Sequence, residues 1–225
     1  MVRSQLNVRG SQAWMAAVTG RLQRCRPVGR SGLLAEYPDL ETTAAAYAEV
    51  SRRRAAGLLP PLGEVVPAAR TILFDGVSDP AALARELSTW RLEPLDVVDG
   101  AEVEVPVRYD GPDVDEVAAL WGTTPEGVAR LHTAGEHRVA FCGFAPGFAY
   151  ISGLPAQLAV PRRSTPRTVV PRGAVGLAGD LSGVYPRRSP GGWQLIGQTE
   201  LAVWDPGRDP AALLVPGTRV RFVAG

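Results

Sequence analysis

The sequence predicts an α+β protein in two parts, a small ferredoxin-like α/β unit over residues 23–100 followed by a β-rich unit over residues 101–225. Three observations carry this. Residues 31–98 read strand, helix, strand, strand, helix, strand, which is the ferredoxin-like order. Asp99-Gly100 is a turn signal that ends it. The remaining chain is rich in Gly and Pro, with short apolar runs between turn signals, as in a compact barrel or sandwich.

Residues 1–22 are polar and Arg-bearing without an apolar stretch, and they read as a loose extension in which Met15 is an alternative start. Leu33, Leu34, Ala35 and Tyr37 read as the first strand. Pro38-Asp39 opens a helix through about Ala56, with Leu40, Ala44 and Tyr47 at helical spacing. Gly57 and Pro60-Pro61 stop it. Gly63–Val66 and Thr71–Phe74 read as strands around Pro67. Asp79-Pro80 caps a second helix whose buried face is Leu83, Leu87 and Trp90. Leu95–Val98 supplies the last strand of this unit.

In the second part, Ala101–Tyr109 alternates like a strand. Val114, Val117, Ala118 and Trp121 share one helix face, and Thr124-Pro125 starts another helix through about Thr133. Apolar runs at 138–144, 168–170, 175–178, 195–196, 201–204 and 219–223 read as strands.

Composition narrows the chemistry. All 24 basic residues are arginine, so lysine imine chemistry and a Walker-type phosphate loop are excluded. A net charge of +1 gives no reason to expect nucleic acid. No apolar run is long enough for a membrane span. Two cysteines, Cys25 and Cys142, and two histidines, His132 and His137, leave little room for a metal centre. Few cysteines and no secretion signal point to the cytoplasm.

Four groups of residues could carry chemistry. The segment GFAPGFAYISGLP (143–155) combines aromatics with glycines and prolines. It can form an apolar wall with exposed amides around Phe148 and Tyr150, or a barrel-closing loop whose aromatics are core. Between residues 160 and 190 stand six arginines and one acid, Asp180; Arg162 and Arg167 are candidates to hold a carboxylate or acyl phosphate, or to form a solvated rim. The segment Ser189-Pro190-Gly191-Gly192-Trp193 reads as a tight turn presenting Trp193 and Gln194, the latter suited to an amide or to backbone groups of the barrel. His132 lies four residues after Val128 on an inward helix face; it suits either proton transfer, with Glu136 and Arg138 close in sequence to orient it, or a hydrogen-bonded core position. His137 reads as a surface residue and Cys142 as a buried structural thiol.

Three stretches, GFAPGFAYISGLP (143–155), VPRRSTPRTVVPRGAVGLAG (160–179) and YPRRSPGGWQLIGQTELAVWDP (185–206), with the tail PGTRVRF (216–222), resemble the family of 5-oxoprolinase B subunits, long known as allophanate hydrolase subunit 1. That family includes KipI-type inhibitors of a sporulation histidine kinase. The resemblance implies a cyclophilin-like β-barrel behind a small α/β domain. It implies a chain inactive alone, joined stably to a C subunit and cooperating with an A subunit in ATP-dependent opening of the 5-oxoproline lactam to glutamate. Kinase inhibition and hydrolysis of a urea-derived amide are the other activities it implies. Phe148, Tyr150, Arg162, Arg167, Ser189, Trp193 and Gln194 are the expected substrate-binding set, and the residues themselves, without the resemblance, give His132, Glu136 and Arg138 as the expected catalytic set. This chain departs from the family pattern at Leu181-Ser182-Gly183, where Gln-Thr-Gly is common, and at Gln198, where Arg is common.

Overall fold

A computed structural model describes residues 20–92 and 102–225. Chain contacts divide into two compact units, Met1–Asp96 and Val97–Gly225. The strand expected at Leu95–Val98, the boundary at Gly100 and most of the N-terminal extension lie outside the described residues.

The first unit contains Arg24–Val28 (β1), Gly32–Glu36 (β2), Leu40–Ala55 (α1), Val65–Pro67 (β3), Thr71–Phe74 (β4) and Pro80–Thr89 (α2). Its sheet order is β1-β2-β4-β3 and every pairing is antiparallel. β2 and β3 therefore run parallel with β4 between them, and α1 is the crossover of a split βαβ unit. Asp39 starts α1 by accepting from Thr42 N at 2.7 Å, and Asp79 starts α2 by accepting from Ala82 N at 2.8 Å. Each cap contributes about 1 kcal/mol. Ala45, Ala46 and Val50 of α1 and Leu83 and Leu87 of α2 share one core with Leu33, Ile72 and Phe74. Leu22 also packs against it.

β1 is not expected from the sequence. Its residues RCRPV carry two arginines and a proline, which suit only a sheet edge. There Arg26 Nε pairs with Glu36 Oε1 of β2 at 2.6 Å. Both sides of β2 are thus taken, by β1 and by β4.

The second unit is a mixed helix-and-sheet structure around a nearly closed barrel-like sheet. Its strands are Glu102–Val107 (β5), His137–Cys142 (β6), Ala149–Ser152 (β7), Ala174–Ala178 (β9), Leu181–Val184 (β10), Gln194–Gln198 (β12) and Arg219–Ala224 (β13). They run in the order β12-β9-β10-β7-β6-β13-β5. Arg167–Val170 (β8) and Ser189–Gly191 (β11) form a separate two-stranded ribbon. Val114–Leu120 (α3) and Pro125–Thr133 (α4) pack on each other, on β12 and on β13.

The seam between the outermost strands is joined by Arg108 and Gln198, whose backbone N–H groups each donate to the other's carbonyl at 2.9 Å. Gly197 allows this approach: a Cβ there would lie 2.3 Å from Arg108 O.

Three strands here escape the sequence reading. β7 lies inside the segment read as a loop, β11 inside the segment read as a tight turn, and β10 is only four residues long. The run at 201–204 is not a strand; it contributes a single bridge, Trp204 with Ala212. No helix among the described residues is long and apolar enough to cross a membrane.

Candidate functional site

Alternation along each strand sorts the second unit's side chains into two bodies. Ala149 and Ile151 of β7, Val175 and Leu177 of β9, Val184 of β10 and Ile196 of β12 fill the barrel. Their neighbours Phe148, Ala174, Ala178 and Leu195 point outward and form a second cluster with Val170, Tyr185 and Trp193. A bulge between Val139 and Phe141 places Phe141 beside Tyr150, ring centroids 4.2 Å apart and stacked.

Phe148 is the hub of this outer cluster. Its ring meets Phe144, Tyr150, Tyr185 and Trp193 edge-on at 5.1–5.4 Å. Phe148 and Trp193 are buried, so they support the face rather than form it. The groups presented to solvent are the half-buried Tyr150 and Phe144, which is 59% exposed. Phe144 also holds φ 64°, a left-handed backbone rare for an aromatic residue. Such strain costs about 1 kcal/mol or more, and an exposed ring does not recover it by burial.

Arg162 is exposed and, among the described residues, has no ion pair or hydrogen bond. Its positive charge opposes the rise that burial gives the phenols of Tyr150 and Tyr185. Phe144, Tyr150 and Arg162 are thus the solvent-accessible members of this group, while Tyr185 is buried beneath Phe144 and Phe148.

Arg167 is placed differently. Its Nη2 donates to Asp113 Oδ1 at 2.7 Å, and Arg163 Nη1 donates to the same oxygen at 2.7 Å. The other oxygen, Oδ2, accepts from Leu195 N at 2.7 Å. Asp113 precedes α3, yet its side chain does not cap that helix; all three of its bonds reach across to the ribbon strand β8, the segment before it, and β12. Gln194 is buried beside this group, donating from Nε2 to Glu116 Oε1 at 3.2 Å and leaving Oε1 without a protein partner. The Ser189 hydroxyl on β11 is likewise buried and unpartnered.

His132 does not stand at the edge of the aromatic face. It is fully buried inside the barrel, hydrogen-bonded through Nδ1 to Tyr109 OH at 2.7 Å and through Nε2 to Ser182 Oγ at 2.9 Å. The reason is the two-residue strand period. On β10, Ser182 points inward to His132, while Gly183 faces outward against Phe148 and Trp193. The sheet therefore separates His132 from the aromatic rings.

Glu136 is exposed, and Arg138 Nη1 donates to Gly217 O at 2.8 Å; neither orients His132. Burial, helped by the charge of His137, drives the His132 pKa well below its ordinary value, so the ring is neutral. His137, read as a surface residue, is buried too, and its Nε2–H donates to His132 O at 2.7 Å. Cys142 Sγ donates to Leu214 O at 3.3 Å, and burial pushes the thiol up to about 11, which fits an inert position.

Asp113, Tyr109 and Phe144 are not singled out by the sequence reading, which takes Arg163 only as one of six arginines and Ser182 only as part of the departure at 181–183. Only Asp113 carries a local signal, a helix-start residue after Gly111-Pro112, and that signal points to capping, which the side chain does not do.

The family described as "Carboxyltransferase domain, subdomain C and D" matches residues 23–214. The 5-oxoprolinase B subunit of Haemophilus influenzae is 41% identical over 157 residues, 68% of this chain and 74% of that protein. The chain belongs to the family of 5-oxoprolinase B subunits. The B subunit of Escherichia coli 5-oxoprolinase is 52% identical over 124 residues, 54% of this chain and 57% of its own length, so the match spans little more than half of that relative. The crystal structure of a protein designated TTHA0988 superposes with a TM-score of 0.69 at 36% identity, covering 90% of this chain and 40% of that one.

Proposed function

We propose that this chain is the B subunit of an ATP-dependent 5-oxoprolinase, a cytoplasmic assembly with C and A subunits. In this reading the first unit is a ferredoxin-like domain and the second a cyclophilin-like barrel that presents the substrate-recognition face. The relatives' shared designation supports it, and one structural observation favours it most: Arg162 is exposed and has no ion pair or hydrogen bond among the described residues, in a unit that also leaves Phe144 and Tyr150 open to solvent.

A five-membered lactam with a carboxylate suits such a face. The guanidinium holds the carboxylate, and the rings of Phe144 and Tyr150 flank the apolar edge. A lactam is a stabilised amide, so water does not displace its nitrogen unaided. Phosphorylation of the carbonyl oxygen by ATP, releasing ADP, makes the ring carbon electrophilic; water adds there, the ring C–N bond breaks with the nitrogen leaving as the amine, and a second water frees phosphate from the resulting acyl phosphate, while this chain's part is to hold the ring and its charge in place. Phe148 and Trp193 fix the outward rings by packing, without touching substrate.

The test is co-expression with candidate C and A subunits, followed by measurement of ATP-dependent glutamate release. The purified chain alone is expected to release none. In the assembly, Arg162→Ala should weaken 5-oxoproline use roughly 10- to 150-fold, the loss expected for one charge-assisted hydrogen bond. Glutamate release by the chain alone, or full activity of the Arg162→Ala assembly, overturns the reading.

A further inference from the structure

We infer that the cleft beside the barrel seam is a second binding site, for a small oxyanion anchored by Arg167. The cleft has a volume of about 310 Å³, and its lining includes Arg167, Gln198, Val169, Pro171 and Leu195. Phe148, Tyr150, Arg162, Trp193 and Gln194 are not part of that lining, although Ala174 and Leu195 belong both to the cleft wall and to the outer cluster.

The argument rests on how the Arg167 guanidinium is spent. It carries five N–H donors in a planar fork that matches two oxygens at once. Among the described residues its only acceptor is Asp113 Oδ1, met through Nη2 alone, and Nη1 has no protein acceptor. Asp113 cannot supply a second contact. It is 3% exposed, shares Oδ1 between Arg167 and Arg163, and commits Oδ2 to Leu195 N. The arrangement fixes the position of the guanidinium; Nη1 is buried without a protein acceptor, and the side chain, 23% exposed as a whole, is part of the cleft lining.

Two other acids lie near. Asp110, also in the cleft wall, is hydrogen-bonded to Arg108 Nε at 2.5 Å, and Glu116 sits 3.7 Å from Arg163 rather than on Arg167. Neither answers the free edge of Arg167. Val169, Pro171 and Leu195 supply an apolar wall for a short carbon body, and Gln198 supplies an amide opposite. Carboxylate and phosphate share the chemistry that this fork reads. Asp113 and Arg163 are positioning residues in this scheme.

The experiment titrates the full chain with 5-oxoproline, glutamate and inorganic phosphate in turn, at constant ionic strength. Calorimetry and the arginine Nε–Hε resonances are the readouts. At least one anion is expected to saturate and to shift the Arg167 signal. Arg167→Gln should weaken that binding roughly 10- to 150-fold, while Arg162→Gln changes it less than about twofold. Val169→Glu, which sets a carboxylate in the wall without touching the Arg167–Asp113 bond, should also abolish it and covers the case in which Arg167→Gln fails to fold. Saturation by 5-oxoproline or glutamate alone marks a carboxylate site, and saturation by phosphate alone marks a phosphoryl site. No saturable binding of any of the three, or binding that survives Val169→Glu, or equal losses from Arg162→Gln and Arg167→Gln, overturns the inference.

Discussion

Arg167 Nη2 lies 2.7 Å from Asp113 Oδ1, joining residues 54 positions apart and tying the ribbon strand β8 to the start of α3. Arg163 and the Leu195 amide use the same carboxylate, so one side chain fastens three segments of the second unit.

Removing that carboxylate should be costly. Breaking a buried ion pair from one side costs about 3–5 kcal/mol, and the partial exposure of both guanidiniums puts Asp113→Ala at the lower end, about 3 kcal/mol. Asp113→Asn keeps one acceptor oxygen and should lose about half as much. Urea unfolding followed by tryptophan fluorescence measures both. A loss below about 1 kcal/mol for Asp113→Ala would mean that the guanidiniums are resolvated at little cost.

Stability should fall with acid above the carboxylate range. Burial lowers the pKa of both His132 and His137 in the folded chain. In the unfolded chain each takes a proton near pH 6.5, about its ordinary value. Below that pH the unfolded state binds more protons, so stability is complete above about pH 6.5 and declines as pH drops. The slope should approach about 1.4 kcal/mol per pH unit for each histidine. His132→Gln should roughly halve the decline between about pH 6 and 5, the window in which histidines rather than carboxylates titrate. An unchanged slope would contradict a neutral buried His132.

Neighbouring substitutions on β10 should act independently. A Cβ at Gly183 would lie 3.0 Å from Phe148 and 3.1 Å from Trp193, so Gly183→Ala overpacks the outer cluster by about 1–3 kcal/mol. Ser182→Ala strips His132 Nε2 of its partner inside the barrel and costs about 1–3 kcal/mol. The two side chains face opposite sides of the sheet, so the double variant should equal the sum within about 0.5 kcal/mol. Larger coupling in denaturation midpoints would show that the two clusters are not separate.

Phe144→Gly should separate stability from function. Relief of the left-handed backbone returns about 1 kcal/mol. The lost edge contact with Phe148, centroids 5.3 Å apart, removes about 0.5–1.5 kcal/mol. These nearly cancel, so melting should move little while 5-oxoproline use by the assembled enzyme falls. Unchanged activity would remove Phe144 from the recognition face.

The local signals of this chain are strong where a residue meets its near neighbours. Asp39 and Asp79-Pro80 fix two helix starts, the 3.6-residue spacing of Leu83 and Leu87 fixes a buried face, and the alternation of residues 102–107 fixes a strand. Those interactions span four residues or fewer, so composition and spacing report them. The three family stretches of the second unit are equally plain in the sequence.

Tertiary structure decided the rest because its causes are distant in the chain. β1 is a strand only because β2 offers an edge, and β7 only because β6 and β10 flank it. Phe148 reads in sequence as either a binding wall or a core aromatic, and Trp193 as presented by a turn, until the packing buries both. Arg162 and Arg167 look alike in sequence, yet among the described residues one has no partner and the other is held by a carboxylate 54 residues away. His132 has the spacing of a functional histidine, but β10 turns Ser182 toward it and Gly183 away, and a single residue of strand register puts a sheet between His132 and the aromatic face. The sequence by itself determined which side chains were present and which helices and strands they favour. Only folding decided which side of a sheet each faces, because a strand's two faces differ by one residue and are chosen by partners far along the chain.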